Sequence, residues 1–568
     1  MPPVWKRHAL LGWSCLLTLM VLAPTLAPGY TLHLDMVFVP HQTLLPWNLG
    51  IGGGLPRSVP QDAVVSLIAG PLPGQVLQKA VLVASLILAA IGAGRLAGDT
   101  LALRLPAASI YLWSAYAAAR LLMGHWGLLW AFALLPWVLL AAHEARRTGR
   151  WRSVAVLCGA GALVPTGGVV LGLAAVPLVV GIGSAVRLRG RLAAVAVVLL
   201  FNAPWWLPAL RSPVVGVSDP MGLVVFGARA DGPGGVLLSV LGGGGVWNSQ
   251  ATLGSRTTWV ATSAVVVLVL LAGLGWRDRL AEQRPETVWL TVLAVGGVTW
   301  AWLSGVAARQ GWAQELVSSV PGGGLLRDGQ KWSLFWVLLL AVCAPRGLHW
   351  LSRRADRSLR VFLAAALALL PLAALPDLAW GGFGRLRTTQ YPSAWGQLRD
   401  RLAADARHGD VVTLPWAAFR RYGWNRDTVV LDPLPRYLTR TVVWNDDLPV
   451  TVSGELAEVG GDDPRSAAVS AAIDSGRPLA PVLASLGIRW VVVETDQPAA
   501  TRPPNLVGMA QTWNGPGLQL LEVTSGTEVY RPRDNLVAVI DLVALAMLAG
   551  LGVAAVARDR DRGPADLA

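Results

Sequence analysis

Residues 31–62 read TLHLDMVFVPHQTLLPWNLGIGGGLPRSVPQD. The stretch follows an apolar run, and it is too polar and too rich in Gly and Pro to cross a bilayer. It carries Asp35, His41, Trp47, Asn48, Arg57 and Asp62, with three consecutive glycines from Gly52 to Gly54. The chain reads as a membrane protein organised around this loop.

The composition agrees. Of 568 residues, 54% are hydrophobic and 14% charged, with a mean hydropathy of +0.51. A soluble protein carries about 25% charged residues, so membrane spans are expected. The formal charge of +13 does not point to nucleic acid. Most Arg residues stand in short clusters between apolar segments, where they report topology. Lys is confined to Lys6, Lys79 and Lys331, and this bias, with abundant Ala, Gly and Val, fits a GC-rich bacterial genome. Cys15, Cys158 and Cys343 all fall inside apolar segments and read as small buried residues, with no disulfide framework or metal-ligand spacing.

Twelve segments have spanning length: roughly 8–27, 76–95, 104–123, 126–144, 152–167, 168–186, 192–210, 257–275, 286–305, 332–350, 359–379 and 535–556. The first reads as an uncleaved helix, because it is long for a signal-peptide core and many spans follow. The fifth and sixth form one apolar stretch broken at Pro165–Gly168, read as a tight hairpin, with one span as the alternative. Every even-numbered exit is basic: Arg95 and Arg104, then Arg146 to Arg152, Arg187 to Arg191, Arg277 to Arg284, Arg353 to Arg360 and Arg558 to Arg562. The positive-inside rule then makes both termini cytoplasmic in a multi-pass plasma-membrane protein. The long connections 28–75, 211–256, 306–331 and 380–534 face outside.

Three units follow: a transmembrane module over 1–379, an external α/β domain over 380–534, and a last span with a basic tail over 535–568. In the domain, Tyr391–Arg407 reads as a helix with Ser393 as its N-cap. Val411–Leu414 and Ile488–Glu494 read as strands, and Ser466–Ile473 and Pro481–Leu486 as helices. Leu518–Val523 and Glu528–Arg531 read as a closing hairpin. No phosphate-binding loop, nucleophile elbow or dinucleotide fingerprint occurs.

Three external clusters could carry chemistry. In the first loop, Asp35 stands just beyond span one, where a partly desolvated carboxylate meets the lipid–water boundary and can act as a general base. The plain alternative is an acid facing water in an interfacial turn. Asp62 is the fallback acid, and His41 and Arg57 complete the loop's polar set. In the second cluster, Arg120 lies near the outer end of span three and His125 in the turn that follows. Arg120 either snorkels or pairs with a carboxylate or phosphate. In the third, GGGLLRDGQKW, the cations Arg327 and Lys331 flank Asp328 beside a Gly-rich turn. They suit a phosphate, or form an ordinary juxtamembrane basic flank. The loop 211–256, with Asp219 and the run Gly242–Gly245, reads as a lid or re-entrant element.

The arrangement resembles the GT-C superfamily of polytopic glycosyltransferases, especially YfhO-like proteins and the actinobacterial arabinofuranosyl- and mannosyltransferase branch. The likeness rests on Asp35 in the first loop, GGGLPRSVPQD before span two, Gly124-His125 before a helix containing Pro136-Trp137, and LLRDGQKW at 325–332. YPSAWGQLRDRL and LGIRWVVVETD in the tethered domain add to it. The resemblance implies inverting transfer of a sugar, arabinofuranose or mannose, from a polyprenyl-phosphate donor to an envelope glycan or glycolipid at the external face, within a shell of membrane lipids. Asp35 would be the base, and Arg327, Lys331 and Arg120 would hold the donor phosphate. His41, Arg57, His125 and Asp328 would line the pocket. Trp395, Trp416, Trp424 and Trp444 would either stack on sugars or pack in the domain core. The resemblance fixes no cofactor, and a divalent metal, Mg or Mn, stays open because Asp35 lacks the paired acid usual in such families. The alternative function is a non-catalytic scaffold or a glycolipid or lipid transporter that keeps the fold.

Overall fold

The structure is a computed structural model, and it describes residues 4–52, 54–55, 58–212, 219–282, 284–320, 322–452, 455–498, 502–524 and 534–560. Among the described residues nine helices are long and apolar enough to cross a membrane: His8–Thr25, Gly74–Ala97, Trp126–Thr148, Leu188–Arg211, Trp259–Ala281, Pro285–Val306, Gly329–Ser352, Arg357–Ala374 and Asn535–Gly552. The chain is a multi-pass membrane protein.

The remaining three expected spans are the interrupted ones. The third is two helices, Leu101–Leu112 and Ala115–Met123, broken at Trp113-Ser114, where the Ser114 hydroxyl accepts from the Ala117 N–H and starts the second helix. The fifth and sixth are the short helices Arg152–Gly161 and Pro165–Val180. Their break precedes Pro165, because a proline at the first helical position begins a helix rather than ending one. Helices Trp259–Ala281 and Leu334–Ser352 pack most closely. A Cβ on Gly275 would lie 2.0 Å from the Cys343 carbonyl, and one on Gly347 1.9 Å from the Leu271 carbonyl. Small residues here let two backbones touch where the lipid supplies no hydrophobic drive. Cys158 and Cys343 are buried as expected, but Cys15 is exposed.

The α/β domain is built on a five-stranded sheet in the order Met509–Gly515, Leu518–Val523, Ile488–Glu494, Asp410–Leu414, Val442–Val443. The first three strands are antiparallel and the last three parallel. Ile488–Glu494 is central, as the apolar run over 490–493 suggests. Helix Ser393–Ala404 begins with Pro392, not Ser393, as its cap. Leu518–Val523 pairs with Met509–Gly515, a strand whose half-exposed, polar sequence conceals it. Glu528–Arg531 lies outside the described residues. Trp395 and Trp424 pack with Tyr391, Tyr422 and Tyr437 in an aromatic cluster, which places them in the core.

This domain is docked on the first loop. Tyr30–Thr31 pairs with Thr388–Thr389, and Leu34 bridges Val430. The Asp62 carboxylate meets Arg436 at 3.0 Å, both groups nearly buried. The second loop, read as a lid, packs as short helices Met221–Phe226 and Gly235–Leu241 against Pro285–Val306. Asp219 accepts from the Gly460 N–H at 3.3 Å.

Inside the domain, Arg420 lies between two buried carboxylates, 2.8 Å from Glu494 and 3.2 Å from Asp432. One guanidinium balances one carboxylate. Burial and the nearby Asp432 charge therefore push Glu494 up to about 8, against the pull of Arg420. An unfolded Glu titrates near 4.3, so the folded domain keeps a proton that the unfolded chain releases. Stability is thus lost as pH rises from about 4.3 to about 8. Glu494→Gln cannot ionise, so the melting temperature of the variant relative to wild type should climb steadily across that window. A difference that stays flat with pH would show that Glu494 is ionised throughout.

Candidate functional site

The site begins with a strained residue. Leu34 has φ +46°, a region that non-glycine side chains seldom occupy. Two hydrogen bonds hold it there: its N–H donates to the Val429 carbonyl at 2.8 Å, and its carbonyl accepts from the Leu431 N–H at 2.8 Å. The chain then turns so that the Asp35 N–H donates to the Met123 carbonyl at 3.1 Å.

Met123 ends helix Ala115–Met123, and Gly124 follows at φ +79°. The Gly124 N–H donates to Leu121 and the His125 N–H returns to Arg120 at 2.9 Å, the double closure that a left-handed residue permits. A Cβ on Gly124 would also stand 2.1 Å from the Met36 nitrogen. Only glycine satisfies both the dihedral and the approach of the Asp35 loop.

This turn brings Arg120 and His125 together. Arg120 Nη1 lies 3.1 Å from His125 Nδ1, and His125 Nε2 lies 2.9 Å from Asp35 Oδ2. A guanidinium can only donate, so Nδ1 accepts and the ring proton sits on Nε2. His125 is therefore a neutral imidazole that donates to Asp35. Asp35 Oδ1 has no hydrogen bond among the described residues, and the Asp35 side chain is 38% exposed.

Arg120 is anchored from its other side. Nη1 donates to Asp328 Oδ2 at 2.9 Å and Nη2 to Asp328 Oδ1 at 3.3 Å, a bidentate fork. Nη2 also donates to the Gln330 side-chain carbonyl, and the Gln330 amide donates to the Gly243 carbonyl at 2.9 Å. The Tyr116 ring lies 5.4 Å from the guanidinium carbon. Lys331 Nζ stands 3.9 Å from Asp328 Oδ2, and Asp35 and Arg327 lie within electrostatic reach of this ammonium. Arg327 itself covers the Phe226 ring at 4.8 Å, on the second long loop.

Five of the candidates thus form one chain of contacts: Asp35, His125, Arg120, Asp328 and Lys331. Arg120 is placed differently from the expectation of a phosphate ligand. Its side chain is fully buried and both terminal nitrogens are committed to protein partners, with the buried Nε left without one among the described residues. Asp62 does not join the chain, since its carboxylate is spent on Arg436. His41 is exposed, with Nδ1 3.4 Å from the Ala69 carbonyl. Arg57 lies outside the described residues. Gln330 and Tyr116 escape the sequence reading because neutral side chains do not stand out, although Gln330 sits inside the DGQKW motif.

Among the described residues no three His, Cys, Asp or Glu side chains are grouped to hold a metal. Both ring nitrogens of His125 and both oxygens of Asp328 are engaged, and the remaining Asp35 oxygen shares its surroundings with an ammonium. Mg or Mn asks for carboxylate oxygens in a negative setting. This donor set does not fit one, and no step below runs through a metal.

The Arg120–Asp328 pair should be a strong point of stability. Arg120→Leu leaves Asp328 buried without its counter-charge and should cost about 3–5 kcal/mol. Arg120→Leu combined with Asp328→Leu should recover most of that loss in a thermal melt of detergent-solubilised protein. Additive losses in the double variant would mean that the pair is not coupled.

No family model matches the sequence, and no curated protein does. Solved structures do match. The cryo-EM structure of the arabinofuranosyltransferase AftD from mycobacteria aligns with a TM-score of 0.55 at 18% identity, covering 93% of this chain and 40% of that one. A mutant of the same protein aligns with a TM-score of 0.52 at 17% identity, covering 93% and 42%. An apo oligosaccharyltransferase from Archaeoglobus fulgidus aligns at 0.47 with 10% identity, over 87% of this chain and 70% of that one, too slight a likeness to argue from. The chain spans about two fifths of the AftD structure, and at these identities the likeness is one of fold. The chain shares the fold of the matched part of the AftD structure over 93% of its own length.

Proposed function

We propose that the chain is a membrane glycosyltransferase that moves a sugar, arabinofuranose or mannose, from a polyprenyl-phosphate donor to an envelope glycan or glycolipid. The reaction takes place at the external face of the plasma membrane, with both termini cytoplasmic. One observation carries the reading: the Asp35 side chain is 38% exposed, and among the described residues its Oδ1 has no hydrogen bond while Oδ2 is held by a tautomer-locked imidazole beside an ammonium. The likeness in fold to AftD, an arabinofuranosyltransferase, supports arabinofuranose of the two.

Asp35 Oδ1 takes the proton of the acceptor hydroxyl as that oxygen bonds to the anomeric carbon. The bond from that carbon to the phosphate oxygen breaks, and the electron pair leaves with the phosphate. Lys331, with Arg327 nearby, stabilises the charge that develops there. Arg120 supports this from behind. It fixes the His125 tautomer, and Asp328 and Gln330 hold its own orientation. His125 therefore orients the base and moves no proton itself.

Asp35→Asn should cut transfer by about 10²–10⁴-fold in membranes supplied with radiolabelled polyprenyl-phosphate sugars. Unchanged transfer would remove Asp35 from the mechanism. Absence of transfer by wild type across several donors would favour the scaffold or transporter. Lys331→Ala should raise the donor KM more than it alters acceptor KM. For topology, a cysteine placed at exposed Val507 by Val507→Cys should react with a membrane-impermeant maleimide in intact cells. One placed by Arg354→Cys should react only after permeabilisation, and the reverse pattern would invert the orientation.

A further inference from the structure

The buried Arg420 cluster lies on the hairpin that grips the Asp35 loop. The hairpin pairs Phe419–Arg421 with Val429–Leu431. One edge of the second strand is bonded to the first. Its other edge holds Leu34 through Val429 and Leu431, and Asn425 in the connecting turn donates to the Leu32 carbonyl at 3.1 Å. Arg420 fastens this hairpin to the central sheet. Nε donates to Glu494 Oε1 at 2.8 Å, at the end of strand Ile488–Glu494, and Nη2 donates to Asp432 Oδ2 at 3.2 Å. Asp432 Oδ1 in turn accepts from the Leu434 N–H at 2.8 Å, opening the turn that carries Arg436 to Asp62.

Leu34 cannot hold its left-handed conformation unaided. A leucine at positive φ persists only where its surroundings over-determine it, and here two hydrogen bonds from the hairpin add to the His33–Met36 bridge that closes the turn. If the hairpin drifts, Leu34 relaxes to negative φ, and the next residue is Asp35.

We infer that Arg420 is a positioning residue for Asp35: clamped between Glu494 and Asp432, it sets the hairpin edge that fixes Leu34 and so aims the Asp35 carboxylate at His125. The kinetic part rests on the reading of Asp35 as the base, whereas the structural part stands without it.

The test uses the full chain in nanodiscs. Arg420→Lys keeps the charge but loses the fork that spans both carboxylates. Hydrogen exchange of residues 30–38 should quicken at least tenfold while that of 488–494 stays as in wild type. Turnover should fall at least tenfold with donor KM within twofold. Should Arg420→Lys not fold, Asp432→Asn keeps the acceptor for Leu434 and removes one arm of the clamp, and it should give the same selective loosening to a smaller degree. Unchanged exchange at 30–38 overturns the inference. So does equal loosening of 30–38 and 488–494, which would mean that Arg420 only stabilises the domain. If wild type transfers no sugar, the function proposed above fails while the exchange result still decides the clamp.

Discussion

The fork from Arg120 to Asp328 is the contact on which the site depends. An arginine near the end of a membrane helix is costly unless its charge is met, and a buried carboxylate is costly in the same way. Here each meets the other's need with two parallel hydrogen bonds. The pair also joins parts of the chain more than two hundred residues apart: the last turn of helix Ala115–Met123 and the segment before helix Leu334–Ser352. With the guanidinium held there, one of its remaining hydrogens faces His125 Nδ1. The protonation pattern of the exposed end follows from the buried end. Arg donates, His accepts, and the imidazole then donates to Asp35.

Backbone geometry supplies the other half. Gly124 and Leu34 are both left-handed, but for opposite reasons. Gly124 is free to be so, and the close approach of Met36 leaves no room for another residue. Leu34 is forced, held by the α/β hairpin on one side and by the His33–Met36 bridge that closes its own turn. The Asp35 loop is thus pressed between a membrane-side turn and a strand edge of the appended domain. Its carboxylate position is a property of the two units together.

Much of this was legible in the sequence, and for a simple reason. Charged residues are scarce in this chain, so Asp35, Arg120, His125, Asp328 and Lys331 stand out against an apolar background, and the structure brings all five together. The order in which they touch was not legible, because it depends on a tertiary approach between distant segments. Asp62 shares its residue type and its loop with Asp35 and reads as the fallback acid. Only its partner Arg436, some 370 positions away, separates a docking contact from an exposed acid. The break at Trp113-Ser114 was hidden because the flanking residues stay apolar across it, and hydropathy does not register a cap. The strand Met509–Gly515 was missed because an edge strand half exposed to water carries no apolar alternation.

These observations bear on why a membrane module of this fold carries an appended domain at all. The base proposed at Asp35 needs water removed from one side and an open approach on the other. Membrane helices can supply the first through buried pairs such as Arg120–Asp328, but their ends fray, and the loop beyond an end has few partners of its own. A sheet edge supplies two fixed hydrogen bonds at any residue it pairs with. By pairing with Leu34 rather than Asp35, the domain fixes the residue before the acid and leaves the acid's own side chain unobstructed. The strain at Leu34 is then the cost of placing a rigid strand one residue away from a carboxylate whose side chain stays 38% exposed.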